Sequence, residues 1–282
     1  MKVLITGASG RTSGYVLKAL LRSPSPPDLR LFVRSEAAVQ KLTSQHPRLS
    51  PADFALGDFL EAGTLPPALD GIDVVFHNAP VFHPNEGAMG IALIDAAKAA
   101  GVKHFVYCSV LFPILTKMQH HKVKRDIEEY LIESGLNYTI LEPSSFMQNI
   151  DLQATLRSST ITAGYSQTTL QGFLDLGDLA DIAAKVILDP APHNRARYEL
   201  VGENCSMEDI ARKLSAHLGK EIAVQKATEH PKLPSGYMVE TMDRMLFYYD
   251  RRGIPGNNNV TRWLLGREPT TWKALIQREA KA

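Results

Sequence analysis

Residues 2–6, KVLIT, run straight into Gly7-Ala8-Ser9-Gly10-Arg11-Thr12-Ser13-Gly14, after which apolar side chains recur at helical spacing at Tyr15, Leu17, Leu20 and Leu21. A strand, a glycine turn and a helix in that order constrain the fold more than any other feature of the chain. The helix stops at Ser23-Pro24-Ser25-Pro26-Pro27, and a second apolar run from Leu29 to Val33 completes a βαβ unit. A helix N-terminus carries unpaired N–H groups and partial positive charge, and glycines let an anion approach the backbone, so this unit suits a dinucleotide pyrophosphate. The spacing is GxxGxxxG, with Ser13 where a third glycine commonly stands, and the strand–turn–helix context carries the reading.

The alternation continues. The pattern predicts a helix near 35–45, a strand near 53–57, a short helix near 61–69 and a strand at 73–76. A helix over 86–100 closed by Gly101, a strand from His104 to Val110, a helix over 120–134 ending at Gly135 and a strand from Tyr138 follow. Repeated βα units of this kind predict an α/β fold, a Rossmann-type doubly wound parallel sheet occupying residues 1–150. Beyond Pro143 the pattern loosens, with polar turns expected over 158–172, a helix opened by Asp178, a strand near 197–201, a helix near 206–218 and a strand near 221–225. Residues 151–282 are expected to form a smaller C-terminal α/β substrate-binding part, interleaved with the first, that closes over the sheet as a cap. Trp263 and Trp272 are expected to pack its tail.

With 282 residues, 44% hydrophobic and 22% charged, the chain can bury a substantial core. Its 31 Lys+Arg against 30 Asp+Glu provide no basic field for a polynucleotide, so nucleic acid is not expected as a partner. No long apolar run occurs, so no membrane span is expected. Cys108 and Cys205 lack CxxC spacing, which argues against a disulfide framework or a cysteine zinc site and favours a reducing, cytoplasmic setting. No HExxH is present and the adjacent pair His120-His121 is not expected to share a helix face, so no metal is expected.

The end of the second strand discriminates between dinucleotides, because an acidic residue there binds a ribose 2′-hydroxyl whereas arginine accommodates a 2′-phosphate. This chain has Arg34, and Arg11 in the glycine turn is placed to clamp the same phosphate, so NADP(H) is the expected cofactor. Gly7, Ser9, Gly10, Arg11 and Thr12 would cradle the pyrophosphate. Asp58, followed by Phe59, closes the third strand and serves equally as an acceptor for the adenine amino group or as a helix cap. Asn78 and Ala79, after the fourth strand, would let the backbone pass beside the nicotinamide ribose.

These segments resemble the NmrA-like family, an atypical branch of the short-chain dehydrogenase/reductase superfamily. The resemblance runs through TGASGRTSG at 6–14, Val33-Arg34, GDFLEAGTL at 57–65 and FHNAP at 76–80, and then SGLNYTILEPSSFMQN at 134–149, FLDLGDLADIAAKVI at 173–187 and LLGREPTTW at 264–272. It implies a Rossmann domain that binds NADP(H) beside a C-terminal substrate cleft. It also implies either reduction of quinones, dyes or phenylpropanoids, or a redox-sensing, co-regulatory role without turnover.

Short-chain reductases commonly use a tyrosine with a lysine four residues on, yet none of the nine tyrosines here has that lysine. His120-xxx-Lys124 stands in its place and matches the HxxxK of NmrA-like sequences, with Ser109 at the end of the fifth strand. The expected roles are proton delivery by a His120 imidazolium, ribose binding by Lys124 and carbonyl polarisation by Ser109. His121 with Arg125 repeats the spacing, so the pattern leaves open which imidazole faces the cleft. Phe112, Phe146, Met147, Asn149 and Tyr165 are the candidate substrate wall. The reading these residues favour is an NADPH-dependent reductase of a small carbonyl, enone or quinone-like compound. A non-catalytic NADP(H) sensor with a protein partner, a non-redox isomerase on the same scaffold and a homodimer all remain compatible with the sequence.

Overall fold

The computed structural model describes residues 1–227 and 233–280. The first stretch alternates β1 (Lys2–Thr6), α1 (Arg11–Arg22), β2 (Asp28–Val33), α2 (Glu36–Gln45), β3 (Phe54–Leu56), α3 (Leu65–Leu69), β4 (Val74–His77), α4 (Glu86–Ala99), β5 (His104–Cys108), α5 (Gln119–Glu133) and β6 (Tyr138–Pro143). Next come β7 (Ser145–Phe146), α6 (Leu152–Ser158), β8 (Thr160–Ala163), β9 (Gln171–Leu174), α7 (Leu176–Leu188), β10 (Ala196–Leu200) and β11 (Glu203–Cys205). The chain continues through α8 (Met207–Leu218), β12 (Ala223–Lys226), α9 (Gly236–Arg251), α10 (Asn259–Leu265) and α11 (Trp272–Glu279).

Seven strands form one parallel sheet in the order β10-β6-β5-β4-β1-β2-β3. Side chains alternate across each strand, so Val3 and Ile5 enter the layer made with α1 and α7, while Leu4 enters the opposite layer with α4 and α5. Strand order reverses at β1, between β2 and β4, and the carboxyl ends of β1 and β4 therefore open a crevice where such sheets take ligands.

Not all of the chain after 150 lies in a cap. Helix α7 packs against α1, and β10 pairs in parallel with β6 as an edge strand of the main sheet. A third core, built on Met147, Phe173, Ile210 and Trp272, holds the remaining smaller part, where β7, β9 and β11 form a second sheet and β8 pairs with β12. The expected turns over 158–172 thus include two strands, because Ile161, Ala163 and Phe173 have this core to enter. Residues 228–232 and 281–282 of the C-terminal part lie outside the described residues.

Two further expectations are corrected. Asp175, not Asp178, caps α7, accepting the Gly177 N–H at 2.9 Å, while the buried Asp178 carboxylate accepts from Thr270 and Arg267 in the tail. Trp272 is fully buried, stacked edge-on against Phe173, but Trp263 is 64% exposed. Among the described residues no helix is long and apolar enough to cross a membrane, and no cluster of three His, Cys, Asp or Glu is arranged to hold a metal ion.

Candidate active site

The glycine turn at the end of β1 has the geometry its sequence implies. Gly7 sits at φ +61°, and a Cβ there would meet the Asn78 carbonyl at 3.0 Å. A Cβ on Gly10 would meet the Gly7 carbonyl at the same distance, whereas one on Gly14 would make only an ordinary contact. Ser13, at the third glycine position, is buried; its hydroxyl donates to the Thr6 carbonyl at 2.8 Å and accepts from Asn78 Nδ2 at 3.3 Å, tying β1 to the end of β4. Helix α1 begins at Gly10 with no side-chain cap and no acidic residue in its first turn, so its leading N–H groups remain available to an anion. That cradle fits a dinucleotide pyrophosphate.

Arg34 is exposed at the end of β2. Lys41 on α2 reaches the Ser9 carbonyl at 3.3 Å and adds a second cation on this side of the turn. Arg11 does not join them, because its guanidinium donates to the Gln148 carbonyl at 2.6 Å and to Asn149 Oδ1, bridging the turn to the segment after β7. Asp58 accepts the Leu60 N–H at 2.9 Å as a local turn cap, and Phe59 packs on Phe32 and edge-on to His77.

A cavity of about 810 Å³ begins at Arg11 and Thr12, passes Asn78 and Ala79, and reaches Ser109, His120 and Lys124 before ending among the apolar side chains of the smaller part. Phe146, Asn149 and Tyr165 line it as expected, together with Met242, Met245 and Tyr249 of α9. Phe112 does not; it holds φ +55° beside the cavity and turns its carbonyl to the His121 ring. Met147 is wholly buried in the third core. Tyr165 and Tyr249 meet edge to face at 5.5 Å, and burial pushes the Tyr249 phenol up to about 12.

Helix α5 carries the polar floor. Lys124 Nζ lies 2.9 Å from Glu86 Oε1 on α4, with both side chains buried, and above the Tyr107 ring at 5.2 Å. The helices approach closely because Gly90 faces Ile127, where an added Cβ would come within 2.9 Å. Burial opposes the Lys124 ammonium most strongly, yet the attraction and hydrogen bond of the Glu86 carboxylate, together with Tyr107 and Cys108, hold the lysine pKa above its ordinary value. His120 and His121 are both buried, with rings in edge contact at 4.4 Å. Only His120 lines the cavity, so the register ambiguity resolves in its favour.

The expected imidazolium does not form at neutral pH. Burial, with His121 and Lys124 adding to it, pulls His120 down to about 2. The ring is therefore a neutral hydrogen-bonding group, and its Nδ1 has no protein partner among the described residues.

The NmrA-like family model matches residues 1–271. The chain belongs to the NmrA-like family. It is 30% identical to the NAD(P)H azoreductase of Xenophilus azovorans over 224 residues, covering 78% of this chain and 75% of that one. The NADPH-dependent quinone oxidoreductase of Escherichia coli, solved with NADPH, is 23% identical, with a TM-score of 0.81 across 99% of this chain and 100% of the other. Citrobacter sp. triphenylmethane reductase, solved with NADP(H), superposes with a TM-score of 0.82 at 19% identity, covering 98% and 99%.

Beside its HxxxK, this NmrA-like chain holds polar residues that sequence reasoning missed. The Ser109 hydroxyl hydrogen-bonds Glu128 Oε1, while Arg197 of β10 contacts Glu128 Oε2 at 3.1 Å and Glu142 Oε1 at 2.8 Å. Burial, and then the Glu142 carboxylate, push Glu128 up to about 7; Ser109, Arg197 and Lys124 act the other way. Burial likewise raises Glu142, against the pull of Arg197. One signal for Glu128 was available: His120, Lys124 and Glu128 are spaced by four and mark one face of α5. Glu86 and Arg197 carry no local signal, because they meet this helix from other elements.

Proposed function

We propose that this chain is an NADPH-dependent reductase that transfers hydride to a small carbonyl, enone or quinone-like compound. The observation that carries the reading is one continuous cavity that joins the uncapped N-terminus of α1 to Lys124, Ser109 and an apolar end walled by Phe146, Tyr165 and Tyr249. Similarity to an azoreductase and a quinone oxidoreductase supports the same reaction class.

Bound NADPH supplies the hydride. The glycine turn around Gly7, Ser9, Gly10 and Thr12 receives the pyrophosphate, with Arg11 bracing the turn against Asn149, and Arg34 and Lys41 serve the 2′-phosphate. Asn78 and Ala79 flank the nicotinamide ribose, and Lys124, kept charged by Glu86, donates to ribose hydroxyls. Neutral His120 orients rather than protonates. Ser109 donates a hydrogen bond to the acceptor oxygen, where negative charge develops. The smaller part built on the third core, which excludes α7 and β10, is assigned the substrate side of the cleft, and the two unpaired, buried cysteines suit a reducing cytoplasm.

The test is loss of NADPH absorbance across a panel of quinones, enones and azo compounds, alongside NADPH binding by calorimetry. Oxidation is expected with at least one class. Tight NADPH binding with no oxidation by any acceptor overturns the proposal.

A further inference from the structure

The buried charges under Ser109 do not balance in pairs. Lys124 is matched by Glu86, at 2.9 Å, and Arg197 by Glu142, through contacts of 2.9 and 2.8 Å. Glu128, only 3% exposed, is the third carboxyl and has no cation to itself. Its Oε2 faces the Arg197 guanidinium, a permanent donor, so a proton carried by Glu128 resides on Oε1, the atom in contact with Ser109. With Oε1 protonated, the acid donates to Ser109 Oγ and leaves the serine O–H free to donate into the cavity that Ser109 lines. With Oε1 ionised, the serine donates to the carboxylate instead. The pair is thus a two-position hydrogen-bond switch with one end in the cavity. Its other end is near bulk water, because the Arg197 side chain is 48% exposed on edge strand β10.

We infer that Glu128 is a proton reservoir that acts through Ser109 to protonate the oxygen of the reduced substrate. The inference rests on the reductase reading above. Hydride from the reduced nicotinamide brings the electron pair to the substrate carbon and leaves the excess charge on its oxygen. The Ser109 O–H bond breaks as the substrate O–H bond forms; the Glu128 O–H bond breaks as the serine O–H re-forms. Arg197 stabilises the carboxylate that remains, and a proton from solvent restores it. The overall change is substrate, NADPH and H⁺ to reduced substrate and NADP⁺. The groups facing Glu128 are Ser109 beyond β5, Tyr107 on β5, Glu142 on β6, Arg197 on β10 and Lys124 one turn back on α5. Burial, and then the Glu142 carboxylate, push the Glu128 pKa up to about 7 against the opposing pull of Ser109, Arg197 and Lys124. This arrangement supplies what the absent tyrosine–lysine pair would otherwise provide, and it explains why a neutral His120 is no obstacle to turnover.

Acceptor chemistry separates the relay from hydride transfer itself. A neutral quinone or carbonyl needs hydride and a proton, whereas a cationic triarylmethane dye is neutralised by hydride alone. In Glu128→Gln, the rate with the quinone should fall about 10²-fold further than the rate with the dye, a size typical of a lost proton donor. Ser109→Ala should show the same split, and Glu128→Asp should recover part of it. Wild-type quinone turnover should decline as pH rises through about 7, and this dependence should be absent in Glu128→Gln. Infrared difference spectra of the wild-type chain should contain a protonated-carboxyl band that disappears near that pH and is missing from Glu128→Gln. Equal slowing with both acceptors, or no carboxyl band titrating above pH 5, overturns the relay while leaving the reductase reading intact. No wild-type turnover with either acceptor overturns the reductase reading, and the relay falls with it.

Discussion

Lys124 Nζ and Glu86 Oε1 are 2.9 Å apart, and the two side chains, from different helices, are 5% and 2% exposed. Removing one partner of such a pair strands the other charge away from water, which costs about 3–5 kcal/mol. Lys124→Met should therefore lower unfolding free energy in urea by roughly that amount. The double variant Lys124→Met/Glu86→Leu should recover most of the loss. A loss of under about 1 kcal/mol in the single variant would show that the pair is solvated.

Four of the five buried histidines among the described residues, His77, His104, His120 and His121, set the acid limit of stability. Burial pulls His77 down to about 3, His104 and His121 to about 4 and His120 to about 2, so the folded chain keeps all four neutral while the unfolded chain protonates them below about 6.5. Their stabilisation is complete above pH 6.5 and drains away as pH falls, by up to about 1.4 kcal/mol per histidine per pH unit. Glu128 and Glu142 act in the opposite sense, since their raised pKa values favour the folded state at lower pH, but they are two groups against four. The melting temperature should fall by several degrees between pH 7.5 and 5.5. A flat profile, or imidazole NMR shifts of these residues moving with a midpoint near 6.5, would refute the assignment.

Gly7 at φ +61° leaves an added methyl both strained and pressed against the Asn78 carbonyl at 3.0 Å. Gly7→Ala should destabilise the chain by about 1–2 kcal/mol. It should also weaken NADPH binding by at least tenfold, because the turn must open. Gly14→Ala, with its nearest neighbour at 3.9 Å, is the control and should do neither. Calorimetric titration with NADPH distinguishes the two variants.

Arg34 stands exposed at the end of β2, with Lys41 on the adjoining helix, and the proposed reading assigns both to a 2′-phosphate. A charge-assisted hydrogen bond contributes about 1.5–3 kcal/mol, so Arg34→Ala should raise the Kd for NADPH by about 10- to 100-fold. Affinity for NADH should stay within about twofold. Lys41→Ala should show a smaller effect of the same kind. Equal weakening of NADPH and NADH would place Arg34 elsewhere.

The order of strands and helices through β6 was legible because each element follows from neighbours in the chain. An apolar run of strand length, a glycine or proline stop and a helical period are local signals, and a parallel sheet follows from their alternation. The glycine turn was legible for the same reason, as was the HxxxK face of α5. Sequence alone places the cap of α7 at Asp178, three residues too late, because nothing local shows that Thr270 and Arg267, some ninety residues on, take that carboxylate. Nor could it separate the two tryptophans, because burial depends on what arrives opposite them.

The pairing of the polar groups beneath the cavity belongs to this second kind. Composition alone shows thirty acidic residues and none that stands out. Only the packing of α4 on α5 and of β10 beside β6 sets Glu86 against Lys124 and Arg197 between Glu128 and Glu142. The sequence by itself determined a dinucleotide fold and the stripe of α5 that faces its crevice, because strand, turn and helix periodicity are written within a few residues of one another. Tertiary structure decided which histidine reaches the cavity, that burial keeps its ring neutral, and which carboxyls burial pushes up. Those properties depend on exclusion of water and on charges brought in from distant segments, and neither exists until the chain has folded.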